Sequence, residues 1–319
     1  MAHGSKKVIL LALGANAGIA AAKFGAFFMT ASSSMLAEAI HSLADTGNQL
    51  LLLLGMKKAA KPPDERHPFG YKMESYFWSF IVAIMLFSLG GLFAIYEGMH
   101  KLDELSASGG EHHTMDNPEI AIGVLIIAIF LEGFSWYVAT KEVNHLRGKE
   151  SLLSFIEGSK STEIIVIWME DTAALIGLFL ALGGIVLVIL TGNPYWDVYA
   201  TFAIGVLLVL IAFLVARETK SLLIGEAATQ ESQDAIRKIV EEHEDVTQLM
   251  NMRTMQLGED EFLVALKVQW KDELDITQMI QGTNDIENSI RKTNHRARYI
   301  FIEADRFDEE KAKLPAFPA

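Results

Sequence analysis

His41, Asp45 and Asn48 recur at i, i+4 and i+7 within a largely apolar stretch, a spacing that lays all three on one face of a helix. An imidazole nitrogen and a carboxylate oxygen one turn apart commonly supply two ligands to zinc or a similar ion. The competing reading is a polar seam of interhelical hydrogen bonds. A second acidic pair, Glu170 and Asp171, interrupts another apolar stretch at Trp168-Met169-Glu170-Asp171-Thr172. Adjacent helical residues point about 100° apart, so only one of the two can aim squarely at a shared site. Glu132 stands alone in a third stretch, as a ligand, a proton-carrying neighbour or a hydrogen-bonded packing group. Lys23, in a fourth, could snorkel or pair with a carboxylate.

The elements that hold these groups follow from hydropathy. Of 319 residues, 51% are apolar and none is cysteine, so disulfides and thiolate metal sites are excluded. A net charge of −13 argues against a nucleic-acid partner. Crossing about 30 Å of hydrocarbon takes roughly 20 helical residues. Six segments qualify, at about 8–30, 32–56, 75–99, 118–140, 162–191 and 195–216. The second is the most polar, broken by Glu38, His41, Asp45, Asn48 and Gln49, and closes on the run Leu50 to Leu54. The first is too long for a signal-peptide core and too closely preceded for a transit peptide, which predicts a retained span. Ionisable groups within such spans are costly, and each is a functional candidate. At about 1.5 Å per residue, His41 and Asp45 fall roughly 14–20 Å from the outer face. Asp171 falls near mid-membrane, so a site shared by spans 2 and 5 is geometrically reasonable.

Lys and Arg gather on one side: Lys6, Lys7, Lys57, Lys58, Lys61, Arg66, Lys72, Lys141, Arg147, Lys149, Lys160, Arg217 and Lys220. The opposite side has only Lys101, so both termini are expected to be cytoplasmic. The transmembrane domain is thus 1–217. Residues 218–307 are acidic and carry a different pattern. Thr229 can cap a helix to about His243, Val246 to Leu257 and Glu261 to Gln269 form two strands, Asp275 opens a second helix, and Tyr299 to Glu303 is a last strand. The order α-β-β-α-β predicts a small α+β, ferredoxin-like domain beside the all-α membrane domain. Residues 308–319 form a flexible tail. The Gly90-Gly91 pair predicts close helix packing, and His112 and His113 beside Glu111 form an outer loop, either solvated or loosely ion-binding.

The run from Ser32 through Ala37-Glu38-Ala39-Ile40-His41-Ser42-Leu43-Ala44-Asp45 closely resembles the second span of the cation diffusion facilitator family. The loop His67-Pro68-Phe69-Gly70-Tyr71-Lys72-Met73-Glu74 does as well. The resemblance covers most of the chain and is nearest the branch containing the ninth human zinc transporter. It implies a homodimeric, proton-coupled antiporter in the lipid bilayer that moves zinc out of the cytoplasm, with Co2+, Ni2+, Mn2+ and Fe2+ as alternative cargo and protons as counter-ion. By that resemblance His41, Asp45 and Asp171 are metal ligands. The remaining family position, one turn before Asp171, is Ile167 here, so Glu170, Asn48, Glu132 or water would complete the site. In the loop, Asp64 and His67 match a weak second site in which Tyr71 replaces a histidine. Glu303 and Asp305 stand where some relatives carry ligands, with Met250 and Leu266 near the places of the companion histidines. The rival reading is a non-transporting membrane scaffold or metal sensor. No activated nucleophile is present, so the chain is not expected to be an enzyme, and its size and short N-terminus favour a bacterial cytoplasmic (inner) membrane, with an organellar origin and a removed leader as the alternative.

Overall fold

A computed structural model describes residues 2–107 and 118–306. His112, His113, Glu111 and the tail from 308 lie outside the described residues. The chain divides into two compact units, Met1–Lys220 and Ser221–Ala319.

The first unit is helical. It comprises α1 (Ala2–Thr30), α2 (Ser33–Ala59), α3 (Glu74–Met85), α4 (Phe93–Ala107), α5 (Pro118–Arg147), the short α6 (Leu152–Gly158), α7 (Thr162–Thr191) and α8 (Tyr195–Ile224). A π-helical stretch, Leu86–Leu92, joins α3 to α4, so Glu74–Ala107 forms one continuous helical stretch. Among the described residues, four helices are long and apolar enough to cross a membrane: Glu74–Ala107, Pro118–Arg147, Thr162–Thr191 and Tyr195–Ile224.

Helix α2 is built inside out. Glu38, His41, Asp45, Asn48 and Gln49 are all buried, whereas Leu43, Leu50 and Leu54 are exposed. The same holds elsewhere, with Phe130, Phe134, Leu190 and Phe213 pointing outward at 67–75% exposure. So much contiguous apolar surface is incompatible with water and matches hydrocarbon. This is an integral membrane protein.

The helices outrun the expected spans. Residues 100–107, 141–147 and 217–224 continue α4, α5 and α8 beyond their apolar cores, because Lys, Glu, Arg and Leu there are good helix formers and the hydrogen-bond ladder does not stop at a polarity change. The division between the two compact units falls inside the last turns of α8, after Lys220. Hydropathy does not mark α6, which Ser151 caps by accepting from the Ser154 amide. Ser32 caps α2 in the same way, accepting from Met35.

Glycines let α8 approach the α3–α4 helix closely. A Cβ on Gly91 would stand 2.6 Å from Val209 Cγ2 and 3.1 Å from the Val209 backbone nitrogen. Gly91→Ala is therefore expected to push the two helices apart and cost about 1–3 kcal/mol, the usual penalty of overpacking. A lowered thermal midpoint in detergent checks this.

In the second unit, α9 (Gln230–Glu241) and α10 (Ile276–Thr293) cover a sheet of order β1-β2-β3. β1 (Val246–Gly258) and β2 (Glu261–Trp270) are antiparallel, and β3 (Ala297–Ala304) runs parallel to β2 after the α10 crossover. Alternation along β2 buries Phe262, Val264, Leu266, Val268 and Trp270 against Ile236, Val240, Ile286 and Ile290. Asp275 opens α10 through a reciprocal capping box with Gln278.

Candidate metal centre

α2 presents the polar face that its spacing predicted. His41 and Asp45 are 3.5 Å apart between Nδ1 and Oδ1, and Asn48 follows one turn on. Across from them stands Glu170 of α7. It accepts from the Asn48 amide and lies within hydrogen-bonding reach of the Asp45 carboxyl.

Asp171 does not join this group directly. It turns toward α5 and accepts from Ser135 at 2.8 Å. The 100° between neighbours separates the two acids, so Glu170 stands beside Asp45 while Asp171 faces Ser135. Glu132, also on α5, is 1% exposed and close enough to both acids of α7 to repel them. Ile167, at the position of the expected fourth ligand, packs with the apolar cluster of Val166 and Met169.

Buried polar atoms normally find partners. Among the described residues, Glu38 Oε1, both His41 nitrogens, Asp45 Oδ1, Asn48 Oδ1, Gln49 Oε1 and Glu132 Oε1 have none. Most of these orphaned atoms belong to one stretch of α2, and they are nitrogen and oxygen donors of the type that suits a divalent transition metal. Among the described residues, no three His, Asp or Glu groups are drawn together tightly enough to close on an ion.

One feature beside the site has no signature in the sequence, and a second settles the two readings of Lys23. The π-helical stretch of Leu86–Leu92 passes His41, with a Gly90 Cβ position 3.9 Å from Nδ1, and such widened turns are frequent at functional sites. Lys23 does not snorkel: at 0% exposure it donates to Glu38 at 2.9 Å and to Ser42 at 2.8 Å. Glu38 in turn needs Gly177 of α7, where a Cβ would meet its Oε1 at 2.5 Å.

The expected second site in the loop is engaged otherwise. Tyr71 donates to Asp64 at 2.7 Å and the His67 amide donates to its other oxygen at 2.7 Å. These bonds, Tyr71 first, hold the Asp64 carboxyl below its usual range, and the same contact raises the Tyr71 hydroxyl. In the second unit Glu303 and Asp305 both pair with Lys267, at 3.1 and 3.2 Å. Glu303 leads in raising that ammonium above its ordinary value, so a cation already occupies the pair. Met250 is a β1 residue, and Leu266 points into the core of that unit.

The pattern of the cation efflux transmembrane domain matches residues 9–224. Metal tolerance protein C4 of Arabidopsis thaliana is 28% identical over 97% of this chain and 65% of its own length. The human protein named proton-coupled zinc antiporter SLC30A9, mitochondrial, is 31% identical over 85% of this chain and 46% of its own. The chain thus spans about half to two thirds of the length of these relatives. An archaeal protein of Methanocaldococcus jannaschii, named only as an uncharacterized transporter, is 25% identical over 73% of this chain. With a buried His-Asp-Asn face on α2 and a matched transmembrane pattern over most of its length, the chain belongs to the cation diffusion facilitator family.

Proposed function

We propose that this protein is a proton-coupled antiporter that carries a divalent transition-metal ion, zinc foremost, through a six-span bundle in which α1 and α2 are also spans. The observation that carries the reading is the set of orphaned donors on α2, facing Glu170 of α7. His41, Asp45, Asn48 and Glu170 are the direct ligands in this reading. Asp171 and Glu132 stand behind them as proton-bearing neighbours. The names of relatives that couple zinc to protons support the same cargo and counter-ion.

The coupling follows from ligand chemistry. A metal takes neutral imidazole and ionised carboxylate, so binding expels any proton on Asp45 or Glu170. Reprotonation on the far side ejects the ion. The loops rich in Lys and Arg mark the loading side, the cytoplasm, with both termini there. Residues 218–307 form the cytoplasmic α+β domain, and a homodimer pairs through it. The sheet face opposite its helices, with Arg253 and a 54% exposed Phe301, suits that role. In purified vesicles, zinc flux should rise when a proton gradient opposes it. Equal flux with and without the gradient, together with no proton release on binding, would leave the scaffold or sensor reading in its place.

A further inference from the structure

The site is buried, and one end of the bundle above it is closed by hydrogen bonds. At the turn between α1 and α2, where Ala31 adopts φ +51°, the carboxylate of Asp197 on α8 takes three donors from α2. Ser32 Oγ and the Ser33 amide donate at 2.9 Å each, and Ser34 Oγ donates as well. Ser33 Oγ reaches Glu97 of α4 at 3.2 Å. Asp197 is 4% exposed, and Ser32, Ser33 and Ser34 are at most 2% exposed. Three helices are thereby tied together about 12 Å along α2 from His41, counting at 1.5 Å per residue.

This closure differs from an apolar seam. It rests on one carboxylate that accepts three donors at the positive end of the α2 dipole. Such contacts break and re-form as a set, whereas interdigitated side chains resist separation. They also act on the helix that carries His41 and Asp45. α8 is fixed to the α3–α4 helix by the glycine contacts at Gly91, Gly98 and Gly205, so a movement of α8 away from α2 would carry α4 and Glu97 with it.

We propose that Asp197 is the latch of the transport cycle, a positioning residue whose hydrogen bonds to Ser32, Ser33 and Ser34 hold the metal site closed toward the α1–α2 turn. The inference rests on the transport reading above, but its test needs no transport. The chain has no native cysteine, so single reporters are clean. Ala37 lies one turn before His41 on the same face, between the latch and the site. Leu52 lies one turn beyond Asn48, on the opposite side of the site. Both are buried.

In the purified full chain, Ala37→Cys and Leu52→Cys are each modified with a charged thiol reagent, with and without Asp197→Ala. Release of the latch should speed modification at position 37 at least about tenfold, the factor expected from losing a hydrogen bond to a charged group. At position 52 the rate should stay level or fall, since opening one end closes the other. Asp197→Asn, which keeps the shape and some of the bonds, should give an intermediate rate and covers the case in which the alanine variant does not fold. No change at position 37 would overturn the latch. Parallel acceleration at both positions would also overturn it, because that is general loosening. Failure of zinc binding with an intact latch response would count against the transport reading alone.

Discussion

Replacing Asp45 with alanine is expected to abolish zinc binding and the proton release that accompanies it. Asp45 is 2% exposed, one oxygen is orphaned, and the other faces Glu170. Loss of a partner behind a metal ligand already costs about 10–100-fold in affinity, so loss of this ligand should cost more than about 100-fold. Calorimetric titration in two buffers of different ionisation heat reads both quantities. The pair on α7 gives a sharper result. Glu170→Gln should resemble Asp45→Ala, because Glu170 holds Asn48 and shares the Asp45 contact. Asp171→Asn should bind zinc more weakly than wild type but still bind, since its carboxylate is engaged by Ser135. The reverse order, with Asp171 indispensable and Glu170 tolerant, would mean that α7 rotates by about one residue when the ion arrives.

The second large effect is on stability. Lys23 and Glu38 form an ion pair at 2.9 Å with both side chains fully buried. Removing one partner of such a pair leaves an uncompensated charge and typically costs about 3–5 kcal/mol. Lys23→Met should therefore lower the unfolding midpoint sharply. Glu38→Gln combined with Lys23→Met should recover most of the loss, since both charges then disappear together. Thermal unfolding in detergent across the wild type, two single variants and the double variant measures the coupling. A double variant no better than the singles would mean that the ion pair itself, rather than the orphaned charge, holds α1 to α2.

Much of this protein is local and could be read from its residues alone. Apolar runs of membrane-crossing length placed the starts of α5, α7 and α8, because burying backbone in hydrocarbon leaves the helix as the available solution. Thr229 and Asp275 marked helix starts through capping chemistry confined to four residues. The i, i+4 spacing of His41 and Asp45 put them on one face for the same reason. Helix ends were less legible: α8 continues to Ile224 because nothing in its local sequence opposes the ladder before Gly225, which turns at φ +113°.

What tertiary structure decided was partnership between distant residues. Glu170 and Asp171 are equivalent as letters, and only the rotation of α7 against α2 and α5 aims one at Asn48 and the other at Ser135. Lys23 found Glu38 rather than the membrane edge because Gly177 leaves room for that carboxylate. Asp197 is a single acid near the start of a span with no local partner pattern, yet it meets the Ser32–Ser34 turn across more than 160 residues. Periodicity and capping act through neighbours on one helix. The site and its closure depend on how separate helices are turned and packed, which no local pattern encodes.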